Sequence, residues 1–146
     1  MIIALASDHA GHELKTRLIN HLEQIGVRTD DFGCFKSNSV DYPDYGILAA
    51  RAVAKGKADR GILICSTGIG MSIVANKVQG IRAALCTSPD MAEQSRRHVN
   101  ANVLVLGGKI IDHELAIKIV DVWLKTPFEG GRHLRRINKI HQLTGC

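Results

Sequence analysis

The stretch Gly61 to Asn76, GILICSTGIGMSIVAN, restricts what this chain can fold into more than any other. An apolar run, Gly61-Ile62-Leu63-Ile64, ends on Cys65, passes through the hydroxyl-and-glycine turn Ser66-Thr67-Gly68-Ile69-Gly70, and continues as the apolar, helix-like segment Met71 to Val78. A short unbroken apolar run bounded by a turn is the pattern of a strand covered on both faces. Glycines in the turn allow backbone angles closed to other residues and let a ligand come close. The first amides of the following helix lack partners inside it, and that end of a helix favours negative charge. Cys65 therefore stands at the carboxyl end of a strand, where a thiolate and a bound oxyanion would both be favoured.

The rest of the chain repeats this unit. Ile2–Ser7 is an apolar strand run, followed by the turn Asp8-His9-Ala10-Gly11. From His12 to Ile25, Leu14, Leu18, Leu22 and Ile25 recur three and four apart, one apolar face of a helix that Gly26 stops. Val27 to Phe32 is a weaker strand, Gly33 to Asp44 a polar, turn-rich segment, and Tyr45 to Lys55 a helix. After the central stretch come a strand at Ile81 to Thr87 and a helix opened by Ser88 as N-cap and Pro89 and ending near His98. The last strand is predicted at Asn102 to Gly107, with helices from Asp112 or His113 to Leu124 and from Arg132 to Leu143, separated by Pro127. Continuous apolar strands alternating with helices imply an α/β fold, a five-stranded parallel sheet covered by helices on both faces. Ligands of such folds lie beyond the carboxyl ends of the strands. Asp8-His9, the loop after Phe32, Cys65 to Gly70, Thr87 and Gly107-Gly108 should share that edge.

Several chemistries that use a cysteine or a glycine turn are poorly matched. A cysteine-dependent phosphatase needs an arginine six residues after its cysteine, where this chain has Met71. No Gly-Lys-Ser/Thr follows Gly68 or Gly70, as a P-loop requires. Gly68-Ile69-Gly70 begins a dinucleotide fingerprint, but Ile73 stands in place of its third glycine. The 146 residues suit a single domain, 1–146, and 45% hydrophobic content with only 4% aromatics implies an aliphatic core. The four cysteines are widely spaced, without a CxxC pair, which suits reduced thiols in the cytoplasm rather than disulfides or zinc. No window is long and apolar enough for a membrane span, and the short apolar start lacks a basic leader. The net charge of +5, much of it in Arg132-His133-Leu134-Arg135-Arg136 and Lys139, fits a nucleic acid or a small phosphorylated ligand.

Asp8-His9-Ala10-Gly11, Asp41-Tyr42-Pro43, Gly61 to Gly70, Ala75-Asn76-Lys77, Gly80-Ile81-Arg82-Ala83, Ser95-Arg96-Arg97-His98 and Glu129-Gly130-Gly131-Arg132-His133 together resemble the type B ribose-5-phosphate isomerase family, which includes galactose and allose 6-phosphate isomerases. The resemblance covers nearly the whole chain. It implies a three-layer αβα, Rossmann-like fold and aldose–ketose isomerisation of a sugar phosphate through an enediolate, with no metal, cofactor, nucleic acid or membrane. It implies Cys65 as base, the amides of Ser66, Thr67, Gly68, Ile69 and Gly70 as an oxyanion hole, the Thr67 hydroxyl in proton handling, and His98 as the ring-opening acid. Asp8 would orient hydroxyls or help open the ring, Tyr42 would line the pocket, and His9, Lys109, Arg132 and Arg136 would hold the phosphate. The partner implied is a second copy, in a homodimer or a dimer of dimers, with His98 and the Cys65 loop of one site on different subunits. Two positions depart from the pattern: Val99 follows His98 where the family usually has Asn, with Asn100 or Asn102 as substitutes, and Lys109 stands where Arg is common.

Each of these residues also has an ordinary structural reading. Cys34, Cys86 and Cys146 read as small hydrophobes or surface thiols, and His12, His21, His113 and His141 as surface residues. Asp8-His9 could cap the first helix, Tyr42-Pro43 form only a rigid turn, and Arg132 with Arg136 belong to a solvated helix face. A non-catalytic binder of a phosphorylated ligand or RNA is the competing function class, motivated by the charge and by Val99. The scarcity of aromatic stacking residues weighs against RNA.

Overall fold

Each apolar run takes its place as a strand, and all pairings are parallel. In the computed structural model, which describes residues 1–146, β1 (Ile2–Ser7), β2 (Arg28–Asp31), β3 (Arg60–Cys65), β4 (Ala83–Leu85) and β5 (Val103–Gly107) form one sheet in the order β2-β1-β3-β5-β4. The helices are α1 (His12–Gln24), α2 (Tyr42–Ala54), α3 (Ile69–Asn76), α4 (Pro89–Val99), α5 (His113–Lys125) and α6 (Arg132–Thr144). None is long and apolar enough to cross a membrane.

Alternation along the strands divides the core in two. Ile3, Leu5, Ile62, Ile64, Leu104 and Leu106 meet Leu14, Leu18 and Leu22 of α1, Ala92 of α4 and Ile119, Val120 and Trp123 of α5. Ala4, Ala6, Leu63, Cys65, Val103 and Val105 meet Ala49, Ala50 and Val53 of α2 and Met71 and Ala75 of α3. The result is the three-layer αβα arrangement expected. Central β1, β3 and β5 are covered on both faces, whereas edge strand β2 is largely exposed, which is why its apolar signal is weak.

Three boundaries move. Helix α2 starts at Tyr42 rather than Tyr45, because extended Asp41 precedes it and Pro43 is preset for a first turn. Helix α3 starts at Ile69, two residues early. Strand β4 is only three residues long, because the Asn102 side chain takes the Arg82 amide (2.8 Å) and the Gly80 carbonyl (2.9 Å) ahead of the ladder.

From β1 the chain steps outward to β2, and from β3 it moves the other way to β5 and β4. The carboxyl ends of β1 and β3 therefore flank the switch point, where doubly wound sheets open a crevice. Asp8 and Cys65 follow and close those two strands.

Candidate active site

At this carboxyl edge the site is built mostly from backbone. Cys65 is buried, and its Sγ accepts a hydrogen bond from the Gly68 amide at 3.2 Å. Gly68 caps α3 with φ 82°, a left-handed conformation that suits glycine, and this aims its amide back at the sulfur. Thr67 Oγ1 accepts from the Ile69 amide at 3.3 Å. Two amides of the expected oxyanion hole, those of Gly68 and Ile69, are thus engaged inside the loop. The amides of Ser66, Thr67, Gly70 and Met71 donate to no carbonyl of the chain, so the free donors are fewer than the sequence suggests. The loop is pinned from the β5 side, where Gly108 donates to the Cys65 carbonyl (2.8 Å) and Lys109 to that of Ser66 (3.0 Å).

The neighbours follow at the same edge. Buried Asp8 accepts from the Gly11 amide at 3.0 Å, closing the turn ahead of α1 without capping the helix, while His9 is exposed and takes the Val40 amide on Nδ1 at 3.2 Å. The Tyr42 ring lies against Gly70, where a β-carbon would fall 2.6 Å from Cζ. Lys109 is exposed beside the loop.

The other expected residues gather at the opposite, amino edge. Helix α4 runs back across the sheet, and Arg82, just before β4, grips the carbonyls of Val99 (3.0 Å) and Asn100 (3.1 Å) at its end. Register places Gly61 beside Val103 at this edge and Cys65 beside Gly107 at the other. The two edges are therefore roughly 13 Å apart along β5 alone. His98, half-exposed, stacks on His133 of α6 with ring centroids 4.2 Å apart and planes 9° from parallel. Glu129 Oε2 lies 3.3 Å from His133 Nε2 and 3.9 Å from His98 Nε2, and its Oε1 accepts from Arg97 Nε at 2.5 Å. That hydrogen bond from Arg97 holds the Glu129 carboxyl below the usual range. Burial pushes the His133 imidazole below its ordinary value, with His98 and Arg132 adding to the shift.

Arg132 and Arg136 are exposed one turn apart on α6, and neither is paired with a carboxylate. The first turn of α6 has no acidic residue, so the helix N-terminus and two unpaired guanidiniums place the same sign of charge on its first two turns. Asn100 ends α4 in the left-handed region, which Asn tolerates, and its side-chain amide is not tied to the chain. The Asn102 amide is tied at both its oxygen and its nitrogen, to Arg82 and Gly80, so of the two expected substitutes for the missing Asn only Asn100 is untied.

Among the remaining thiols, Cys34 and Cys86 are buried and Cys146 is exposed; burial pushes Cys86 up to about 11, as suits a core residue. His12 and His21 are less free than expected of surface residues, bonding the Cys34 carbonyl (3.1 Å) and Asp121 (2.7 Å). Sequence reasoning gave no role to His133 and Glu129; their four-residue spacing in Glu129-Gly130-Gly131-Arg132-His133 was the signal available.

The family model for ribose/galactose isomerases matches residues 3–140. The chain is 48% identical over 138 residues to ribose-5-phosphate isomerase B of Escherichia coli K12, covering 94% of this chain and 93% of that protein. Its structure matches that of the Clostridium thermocellum ribose-5-phosphate isomerase B with a TM-score of 0.98, at 50% identity over 99% of this chain and 98% of the other. The Mycoplasma genitalium ribose-5-phosphate isomerase B, solved with bound ribulose 5-phosphate, matches with a TM-score of 0.95 at 44% identity over 99% and 96% of the two chains.

Proposed function

We infer that Cys65 and His98 divide the chemistry between them, from one premise: this chain belongs to the ribose/galactose isomerase family. It is an aldose–ketose isomerase that interconverts ribose 5-phosphate and ribulose 5-phosphate. Ribose 5-phosphate arrives as a closed furanose. His98 gives a proton to the ring oxygen as the anomeric hydroxyl gives one up to the Asp8 carboxylate, and the C1–O4 bond breaks to leave an aldehyde. Cys65, as thiolate, removes the proton on C2, and the electron pair moves through C1 to make O1 an enediolate oxyanion. The free amides of Ser66, Thr67 and Gly70 stabilise that charge. Thr67 passes the O2 proton to O1, and return of the carbon-bound proton to C1 completes the ketose. Asp8 and Tyr42 orient the sugar.

The observation that carries the Cys65 role is the 3.2 Å contact from the Gly68 amide, which ties the sulfur to the anion-favouring end of α3. Arg132 and Arg136 hold the phosphate at the α6 N-terminus, with His9 and Lys109 reaching it from the other half of the site.

Cys65 and His98 lie at opposite edges of the sheet, so one copy does not bring them together. A second copy, in a homodimer or a dimer of dimers, would set the His98 edge of one chain against the Cys65 edge of the other. Exposed Ile69, Ile73 and Ile110 beside one half, and Val99, Leu134 and Ile140 beside the other, offer apolar surface for that contact. Four unpaired thiols favour a reducing compartment such as the cytoplasm.

The test is ketose formation from ribose 5-phosphate by the purified protein and its Cys65→Ala variant, with chelator present and allose and galactose 6-phosphates in parallel. Turnover of ribose 5-phosphate that vanishes in the variant is expected. Turnover of a hexose phosphate alone would move the substrate and keep the mechanism, and a fully active variant would remove Cys65 from it.

A further inference from the structure

His98 ends an exposed helix turn, where an imidazole is ordinarily free to change rotamer. Here its ring is parallel to that of His133, whose side chain is only 7% exposed. His133 Nε2 is buried and makes no hydrogen bond, so packing rather than a bond of its own fixes that ring. Glu129 closes the group from the edge. Its backbone amide donates to the Arg97 carbonyl at 3.1 Å, docking the Pro127–Gly131 loop on the end of α4, and Arg97 holds its Oε1. Its Oε2 is left facing the Nε2 atoms of both imidazoles.

Taking His98 as the ring-opening acid, we propose that His133 and Glu129 are positioning residues for ring opening: His133 is the flat platform that fixes the His98 ring, and Glu129 the counter-charge at its edge. Two parallel imidazoles this close repel if both are protonated. Burial, His98, Arg132 and Arg136 all disfavour a proton on His133. His98 is the more open to solvent of the two rings, so it is the one a sugar can reach. Only one step of the reaction needs the His98 proton placed accurately, the breaking of the C1–O4 bond. Proton transfer at carbon belongs to Cys65 at the other edge.

Ring opening can be separated from isomerisation by the choice of substrate. Ribulose 5-phosphate has its O5 esterified and cannot close a furanose at C2, so it enters open, and the aldose it yields closes in solution. Initial rates are compared for ribose 5-phosphate and ribulose 5-phosphate with wild type and H98A, H133A, H133F and E129Q, after thermal unfolding shows each variant folded. H98A is the reference, expected to lose kcat on ribose 5-phosphate about 100-fold and to keep most activity on ribulose 5-phosphate. H133A and E129Q are expected to lose about tenfold on ribose 5-phosphate with little change in KM, and less than about twofold on ribulose 5-phosphate. H133F keeps a flat neutral ring and is expected to stay within about threefold of wild type on both.

Equal losses on both substrates in H133A and E129Q would mean a structural role only and overturn the proposal. So would an H133F as impaired as H133A. If H98A is selective for ribose 5-phosphate and H133A is not, the positioning role falls and the reading of His98 stands. If H98A itself shows no selectivity, His98 is not the ring-opening acid, and the proposal falls with it.

Discussion

Around Cys65 the chain offers backbone: a sulfur held by an amide, free amides at a helix start, and a loop pinned by two more main-chain bonds from Gly108 and Lys109. Around His98 it offers side chains: stacked imidazoles, a carboxylate held by Arg97, and unpaired Arg132 and Arg136 on helix surfaces. The first half sits at the carboxyl edge on buried strands, and the second at the amino edge on helix ends braced by guanidinium–carbonyl bonds such as Arg96 to Ala101 (2.6 Å). On the proposed roles, the difference follows from the tasks. An enediolate needs fixed dipoles that do not reorganise as charge develops, which backbone supplies. Phosphate capture and ring opening need full charge and a titrating group, which only side chains supply. One sheet has two ends, and on the proposed reading the site joins the carboxyl end of one copy to the amino end of a second.

The largest effect tests the backbone half. If Cys65 is the base, Cys65→Ala removes it and leaves its dipoles in place, so kcat should fall by about 10³–10⁴, while KM for ribose 5-phosphate stays within a few-fold because the proposed phosphate site belongs to the other half. Steady-state kinetics on the folded variant decide it; a large rise in KM with kcat preserved would reverse the division of labour. The next effect tests whether the halves come from different chains. Mixing inactive Cys65→Ala with His98→Ala under conditions that exchange subunits should restore roughly a quarter of wild-type activity, since half of the dimers are mixed and each has one intact site. No recovery after verified exchange would place both groups of a site in one chain.

The two halves also differ in how far the amino-acid sequence announces them. The strand, turn and helix around Cys65 are legible because buried strands leave apolar runs and the turn needs glycine at Gly68. What stayed hidden there is which amides are spent, since the Gly68 and Ile69 donors are consumed by neighbours two or three residues away. The His98 half is nearly silent. His98 on its own is a helix-end histidine, and Arg132 with Arg136 match any solvated helix face. Their meaning depends on α4, α6 and the Pro127–Gly131 loop meeting across 32 residues of sequence, as in the Arg97–Glu129 pair. Periodicity fixed the helices, but no local pattern encodes that meeting. The early start of α2 and the short β4 were missed for a similar reason, since each boundary is set by a cap or by a side chain from elsewhere.

A smaller effect separates phosphate capture from chemistry. Arg136→Ala leaves Arg132, His9, Lys109 and the α6 N-terminus intact, so it should raise KM for ribose 5-phosphate by about 10- to 100-fold, the worth of one charge-assisted bond, with kcat little changed. Arg136→Lys should recover part of that loss, because it restores charge without the two-pronged geometry. Inorganic phosphate inhibition should weaken in parallel. If kcat falls and KM does not, Arg136 acts in the reaction rather than in binding.

The smallest effect is on stability, and it belongs to the His98 half alone. The folded chain holds His133 below the ordinary value of 6.5, chiefly by burial. As pH falls through that value the unfolded chain takes up a proton that folded His133 resists. The unfolded state then binds more protons, so stability is full above about 6.5 and declines below it. Glu129 acts in a separate window. Its carboxyl, held below 4.5 by Arg97, contributes stability that is present above that value and is lost as pH falls through its lower folded value. Thermal unfolding at pH 8 and pH 5.5 therefore separates His133 from Glu129, and His133→Phe should flatten the difference by about a degree or two. Glu129→Gln removes a charge that favours His133 protonation, so it should steepen the decline. Cys65→Ala, at the other edge, should leave the slope unchanged. If it alters the slope as much as His133→Phe does, the two halves are coupled through the sheet, and the separation of tasks between the edges is incomplete.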